Sequence, residues 1–104
     1  MKLLKKDEYK KLEEYLREYK DYVDNKNYVK AINELVSFFS DIEYSSVLNI
    51  FYLQRNSYLN RFPTNQALFS YLNCLLAIPI PTLYVMRKEI VYKAAMIFYK
   101  YDLL

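Results

Sequence analysis

The chain contains no glycine in 104 residues, and this absence limits both its fold and its chemistry. Tight β-hairpin turns prefer residues that tolerate positive φ, so a sheet protein without glycine is disfavoured. Phosphate-binding loops and the dinucleotide-binding fingerprint need backbone that approaches phosphate without a Cβ in the way, so both are excluded. The length fits one domain over residues 1–104, which argues against a two-domain enzyme.

The chain also lacks histidine and has a single cysteine, Cys74. Without an imidazole there is no Ser-His triad and no His metal ligand. One thiol cannot form an internal disulfide or a thiolate zinc site. Cys74 stands in an apolar run without a basic neighbour, so we expect a buried, unreactive thiol. A solvated charged face is the expected role of four early carboxylates, Glu13, Glu14, Glu18 and Asp21. We therefore expect a protein that is not an enzyme and uses no cofactor and no metal.

The formal net charge is only +3, from 15 basic and 12 acidic side chains. Any DNA contact would therefore depend on local rather than global charge. No charged residue occurs between Arg61 and Arg87, a stretch long enough to span a bilayer, but Pro63, Pro79 and Pro81 interrupt it. The first residues lack the apolar segment of a signal peptide. We expect a soluble, cytoplasmic protein with no membrane partner.

Residues 1–40 are predicted to form a helical hairpin. One helix is expected over residues 6–24, because apolar side chains recur there at steps of three or four: Leu12, Leu16, Tyr19 and Val23. Asn25-Lys26-Asn27 is a stop signal, and a second amphipathic helix is expected over residues 28–40. Two alternatives remain open. The helices pack as an antiparallel pair within one bundle, or the first pairs with its copy in a homodimer.

Residues 41–104 are predicted to form the remaining helices. A third helix follows cap-type residues after Asp41 and closes before Pro63, and a short helix begins at Thr64 or Asn65. Pro79 and Pro81 fit the first turn of a long last helix. Its apolar stripe is Leu83, Met86, Ile90, Ala94, Ile97 and Tyr101, and its outward face is Tyr84, Lys88, Tyr92, Ala95 and Tyr99. No segment has the alternation of a strand, so the fold class is all-α with about five helices.

The order of short helix, tight turn and long amphipathic helix over residues 65–101 is typical of a helix-turn-helix, whose second helix enters the DNA major groove. The alternative interpretation is an ordinary helical hairpin in a bundle. Tyr84, Lys88 and Tyr92 repeat every four residues on the outer face, and Arg87, Lys88 and Lys93 are candidate phosphate contacts.

Residues 75–101, LLAIPIPTLYVMRKEIVYKAAMIFYKY, resemble the C-terminal end of phage transcriptional regulators of the ArpU and RinA type, which are similar to sigma-factor region 4. On that resemblance Ile78 matches the isoleucine of the turn, Thr82 the threonine and Tyr84 the second aromatic residue. Arg87 and Lys88 fall in the basic run, and the closing Ala-rich segment contains Ala94 and Ala95. The resemblance implies a region 4-like helical unit over residues 41–104.

Two positions depart from the family pattern. Ala77 stands where the family has the glycine of the turn, and Pro79 stands where it has the serine N-cap. The first turn of the last helix would then present Pro79-Ile80-Pro81, which offers no hydrogen-bonding group to a base edge. An apolar tip of this kind suits a hydrophobic pocket on a protein better than a DNA groove.

The resemblance implies a non-enzymatic regulator of transcription from a phage or phage-derived mobile element. If it acts on DNA, the expected contact residues are Thr82, Tyr84, Arg87, Lys88 and Lys93. The alternative is a protein-binding helical module that modulates or inhibits a late-gene activator or RNA polymerase. Its expected contact residues are Ile80, Leu83, Tyr84 and Tyr92. A structural subunit of a larger helical assembly is the third interpretation.

Overall fold

Every regular element in the structure, a computed structural model that describes residues 4–104, is helical. The α-helices are α1 (Lys6–Arg17), α2 (Lys26–Phe38), α3 (Ile42–Leu48), α4 (Arg55–Leu59), α5 (Asn65–Leu76) and α6 (Ile80–Lys100). A 3₁₀ turn, Tyr19–Tyr22, follows α1, and a π-helical segment, Asn49–Leu53, continues α3. The prediction of an all-α fold with about five helices is confirmed, since α4 is a single short turn.

Side-chain caps begin three of the helices where the sequence places cap-type residues. Asn25 Oδ1 accepts a hydrogen bond from the Tyr28 amide at the start of α2, and Asp41 does the same for α3. Thr64 Oγ1 accepts from the Ala67 amide at 3.1 Å and so begins α5. These bonds satisfy amide groups that have no partner within the first turn of a helix.

Two predicted helices are interrupted. The helix expected over residues 6–24 ends at Arg17 and gives way to the 3₁₀ turn. The third helix widens at Asn49–Leu53, where Ile50, Phe51, Tyr52 and Leu53 are all buried. A regular α-helix presents only one stripe to a core, whereas this wider turn allows four consecutive side chains to be buried.

The core is built around α6, which packs against α1, α2, α3 and α5. The predicted stripe on α6 is confirmed for Leu83, Met86, Ile90, Ala94 and Ile97, all buried. Tyr101 at its end is only partly buried. The prediction was incomplete, because Val91 and Phe98 are buried as well, and Ala95 is buried rather than outward-facing. The apolar face of α6 is therefore wider than one stripe, since neighbours cover it from several sides.

The N-terminal helices do not pack mainly onto each other, because α2 packs onto α6 and α1 packs onto the π-helical segment and α6. Leu12 and Leu16 of α1 are fully buried in the same hydrophobic cluster as the C-terminal helices. Within one chain, this stripe is therefore covered by the core. Val23, the last member of the predicted stripe, remains exposed.

The turn between α5 and α6 consists of Ala77, Ile78 and Pro79, and the two helix axes bend by 105° across it. Ala77 adopts the left-handed conformation, with φ 54° and ψ 37°. Ile78 is buried, and its carbonyl oxygen accepts a hydrogen bond from Asn73 Nδ2 at 2.6 Å. The turn is therefore anchored both by burial and by a hydrogen bond.

Within residues 4–104, no single helix is both long enough and apolar enough to cross a membrane. Only α5 and α6 taken together, across their 105° bend, reach that length and hydropathy.

Candidate functional site

Arg87, expected at a DNA phosphate, lies instead in a buried polar network with Glu13 and Tyr52. Its Nε and Nη2 atoms are 2.9 Å and 2.5 Å from Glu13 Oε2, and Nε is 3.1 Å from the Tyr52 hydroxyl. The Tyr52 hydroxyl donates to the same carboxylate oxygen at 2.8 Å. The network joins α1, the π-helical segment and α6. Arg87 is thus engaged in bonds within the chain rather than directed at solvent.

Glu13 is only 6% exposed, so the expectation of a solvated charged face was wrong for this residue. It is flanked by a second guanidinium, because Arg17 Nη2 lies 3.6 Å from Oε2. A buried carboxylate is tolerated only when it is paired and hydrogen-bonded. Two arginines and one phenol meet that requirement.

Burial and the charge of Glu13 also shift the pKa values of two of its partners, Tyr52 and Arg87. Burial, followed by the charge of Glu13, raises the pKa of Tyr52 well above its usual value. Burial alone would lower the pKa of Arg87, but Tyr52 and Glu13 outweigh it and raise that pKa. Tyr52 and Arg87 therefore both stay protonated across the physiological range.

Aromatic rings enclose the Arg87 guanidinium. Its Cζ atom lies 4.9 Å from the ring centroid of Phe51 and 5.9 Å from that of Phe69. Cation–π contacts of this kind favour a desolvated guanidinium. They further fix Arg87 in the interior.

The other DNA candidates differ in their exposure and in their contacts with the rest of the chain. Thr82 and Lys88 are exposed on α6. Tyr84 is half-exposed, but its ring stacks on Phe69 with a centroid distance of 4.2 Å. Lys93 is only partly exposed, with Nζ 4.0 Å from the ring centroid of Phe38. Among the cations of the predicted set, Arg87 and Lys93 are partly buried and Lys88 is exposed.

The predicted protein-contact residues also differ in how deeply they are buried. Leu83 is fully buried in the core, so it is not available for contact with a partner. Ile80 is partly buried and packs against the core. Tyr84 and Tyr92 remain on the outside of α6, with Tyr92 held edge-on against Tyr9 of α1 at 6.4 Å.

The outer face of α6 carries an apolar groove of about 640 Å³. This α2–α6 groove is lined by Phe38 and Phe39 at the C-terminal end of α2 and by Val85, Lys88, Glu89, Tyr92, Lys93 and Met96 from α6. Three of its apolar side chains are more than half exposed: Phe38 at 58%, Val85 at 55% and Met96 at 52%. Contiguous exposed apolar surface marks interaction sites in soluble proteins more often than scattered apolar residues do.

One wall of the groove is fixed by aromatic packing. Phe38 lies edge-on to Phe39, and Phe39 stacks on Tyr44 with a centroid distance of 5.1 Å. The Tyr44 hydroxyl donates to Glu89 on the facing helix, and this bond raises the pKa of Tyr44 to about 12. These contacts fix the position of Phe39 in the wall of the groove.

Sequence reasoning found only Lys88, Tyr92 and Lys93 of this groove. The missed signal was apolar side chains outside the core stripe, namely Val85 and Met96 on α6. Both point away from the stripe at helical spacing, where a solvated helix would carry polar residues. Phe38, next to the buried Phe39, is the third such residue.

Cys74 is exposed on α5, so the expectation of a buried thiol was wrong. The apolar run around it occupies a helix whose other face, with Leu72, is buried. Among residues 4–104, no group of three or more potential ligands of the His, Cys, Asp or Glu type is placed to hold a metal ion.

Comparison of the chain with protein-family models, with curated proteins and with solved structures finds no match.

Proposed function

We propose that the chain is a non-enzymatic protein-binding helical module that regulates transcription in a phage or phage-derived mobile element. It acts by contacting a protein of the transcription machinery through the α2–α6 groove. The observation that carries this proposal is that the outer face of α6 exposes apolar side chains. Arg87 bonds to Glu13 in the interior, whereas Val85 and Met96 are exposed.

The balance of charge and apolar surface favours protein over DNA as the target. Two lysines, Lys88 and Lys93, remain near the groove, and Glu89 stands beside them. DNA affinity depends on the number of phosphates neutralised, and two contacts give weak binding at physiological salt. A protein partner gains instead from covering apolar side chains, at about 25 cal/mol per Å² of buried apolar surface.

Transcription is the proposed context because residues 75–101 resemble the ArpU and RinA type of regulator. The test is in vitro transcription from a phage late promoter with RNA polymerase and the cognate late-gene activator. We expect the chain to change transcript yield without shifting the mobility of the promoter fragment at low salt. If it changes neither yield nor mobility, the proposal is refuted.

A matched pair of variants links that effect to the groove. Val85→Asp places a charge in the groove, and Val23→Asp makes the same change at an equally exposed valine, since the two are 55% and 52% exposed. We expect the first to abolish the effect on transcription and the second to retain it. Equal behaviour of the two variants would exclude the groove as the contact surface.

Direct DNA binding is the second candidate. It is favoured by the 105° bend and the three-residue turn between α5 and α6, which fall within the range of helix-turn-helix units. Thr82, Tyr84, Lys88 and Lys93 would be its contacts. Two results of a mobility-shift assay would support this candidate. A plot of the logarithm of the binding constant against the logarithm of the salt concentration would have a slope of about −2, and Lys88→Ala would lose the shift. No shift at low salt would eliminate it.

A further inference from the structure

We propose that the α2–α6 groove binds an amphipathic helix of about three turns whose apolar face is flanked by acidic side chains. This inference rests on the proposed function and specifies the partner of the same surface. Three features of the groove carry it: its length, its preformed wall and its charge.

The length of the groove matches a helix. Val85 and Met96 mark its two ends along α6, and at a rise of 1.5 Å per residue they are about 16 Å apart. A helix lying alongside presents apolar side chains at positions i, i+4, i+7 and i+11 over the same distance. An apolar face of three turns therefore fills the groove from end to end.

Aromatic contacts within the chain already hold the side chains that line the groove. Phe38 and Phe39 line the groove edge-on to each other, Phe39 is supported from behind by stacking on Tyr44, and Tyr92 of the lining is held against Tyr9. A preformed groove loses little conformational freedom on binding, so more of the contact energy appears as affinity. Exposed Phe38 and Met96 supply large adaptable contacts of the kind found at binding surfaces.

The charge of the groove selects acidic flanks on the bound helix. Lys88 and Lys93 both line it, and the single carboxylate, Glu89, already accepts a hydrogen bond from Tyr44. The lining therefore has a net positive charge. Complementary charges across an interface fix the orientation of a partner and exclude like-charged competitors.

The test uses two synthetic, stapled helical peptides with the same leucine face. One carries glutamates on both flanks and the other carries lysines, and binding to the full chain is followed by fluorescence anisotropy. We expect the acidic peptide to bind about tenfold more tightly at low salt, with a smaller difference at high salt. Equal or tighter binding of the basic peptide, or no binding of either, overturns the inference.

Three variants complete the test. Val85→Asp is expected to abolish binding of the acidic peptide, and Val23→Asp is expected to preserve it. The double variant Lys88→Glu, Lys93→Glu is expected to reverse the preference between the peptides, and an unchanged preference overturns the role of charge. If Val85→Asp removes the effect on transcription while neither peptide binds, the acidic helix is refuted and the protein-binding function stands.

Discussion

Replacing Ala77 by glycine is expected to stabilise the protein, although the chain uses no glycine anywhere. Ala77 holds φ 54° and ψ 37°, a conformation that costs an L-residue about 1–2 kcal/mol because of its Cβ. Glycine avoids this cost but loses about 0.5–1 kcal/mol more backbone entropy on folding. The side chain of Ala77 is exposed, so little burial is lost. The net gain in unfolding free energy is about 0.5–1 kcal/mol.

The assay is urea unfolding and thermal melting followed by circular dichroism. For a domain of this size the gain corresponds to a rise in Tm of about 2–8 °C. Ala67→Gly is the matched control, because Ala67 lies inside α5, where glycine is expected to lower stability by about 0.5 kcal/mol. Destabilisation by Ala77→Gly of the same size as that by Ala67→Gly would refute a left-handed residue at this turn.

Three further results are expected. Arg87→Ala should lower the unfolding free energy by about 3 kcal/mol, because Glu13 stays buried with a weaker partner, whereas Lys88→Ala should change it by less than about 0.5 kcal/mol in the same urea titration. Burial raises the pKa of Tyr52 in the folded state. The protonated phenol therefore contributes its full stabilisation below pH 10, and this stabilisation is lost as the pH rises further. Absorbance at 295 nm should show that Tyr52 ionises only when the protein unfolds. Cys74 should react fully with a thiol reagent in the native state, and protection of the thiol would contradict its exposure.

Much of the fold could be predicted from the sequence, because local sequence signals and burial in the core agree in most of the chain. Thr64 and Asp41 are both cap-type residues and actual caps, and the stripe from Leu83 to Ile97 is both periodic and buried. The π-helical segment could not be predicted in this way. Its four buried side chains form no periodic stripe, and contacts with distant parts of the chain, namely α1, Phe69 of α5 and Arg87 of α6, surround them.

The candidate site was harder to predict because it depends on residues far apart in the chain. Nothing local distinguishes Arg87 from Lys88, which lies on the outside of the same turn. The difference arises from Glu13, 74 positions away, which lies opposite one of them and not the other. Likewise the groove exists only because the end of α2 lies against α6, so Phe38 and Val85 become neighbours only in three dimensions.

The single oxygen that Arg87 and Tyr52 share on Glu13 has a consequence for cooperativity. It connects residues 39 and 74 positions apart in the chain. If α1 detached alone, it would break the Glu13–Arg87 pair and leave the Arg87 guanidinium beside Phe51 and Phe69 without its counter-charge, at a cost of about 3–5 kcal/mol. Partial opening of the N-terminal helix is thereby suppressed, and its amide protons should exchange with solvent at rates set by global unfolding rather than by local fraying.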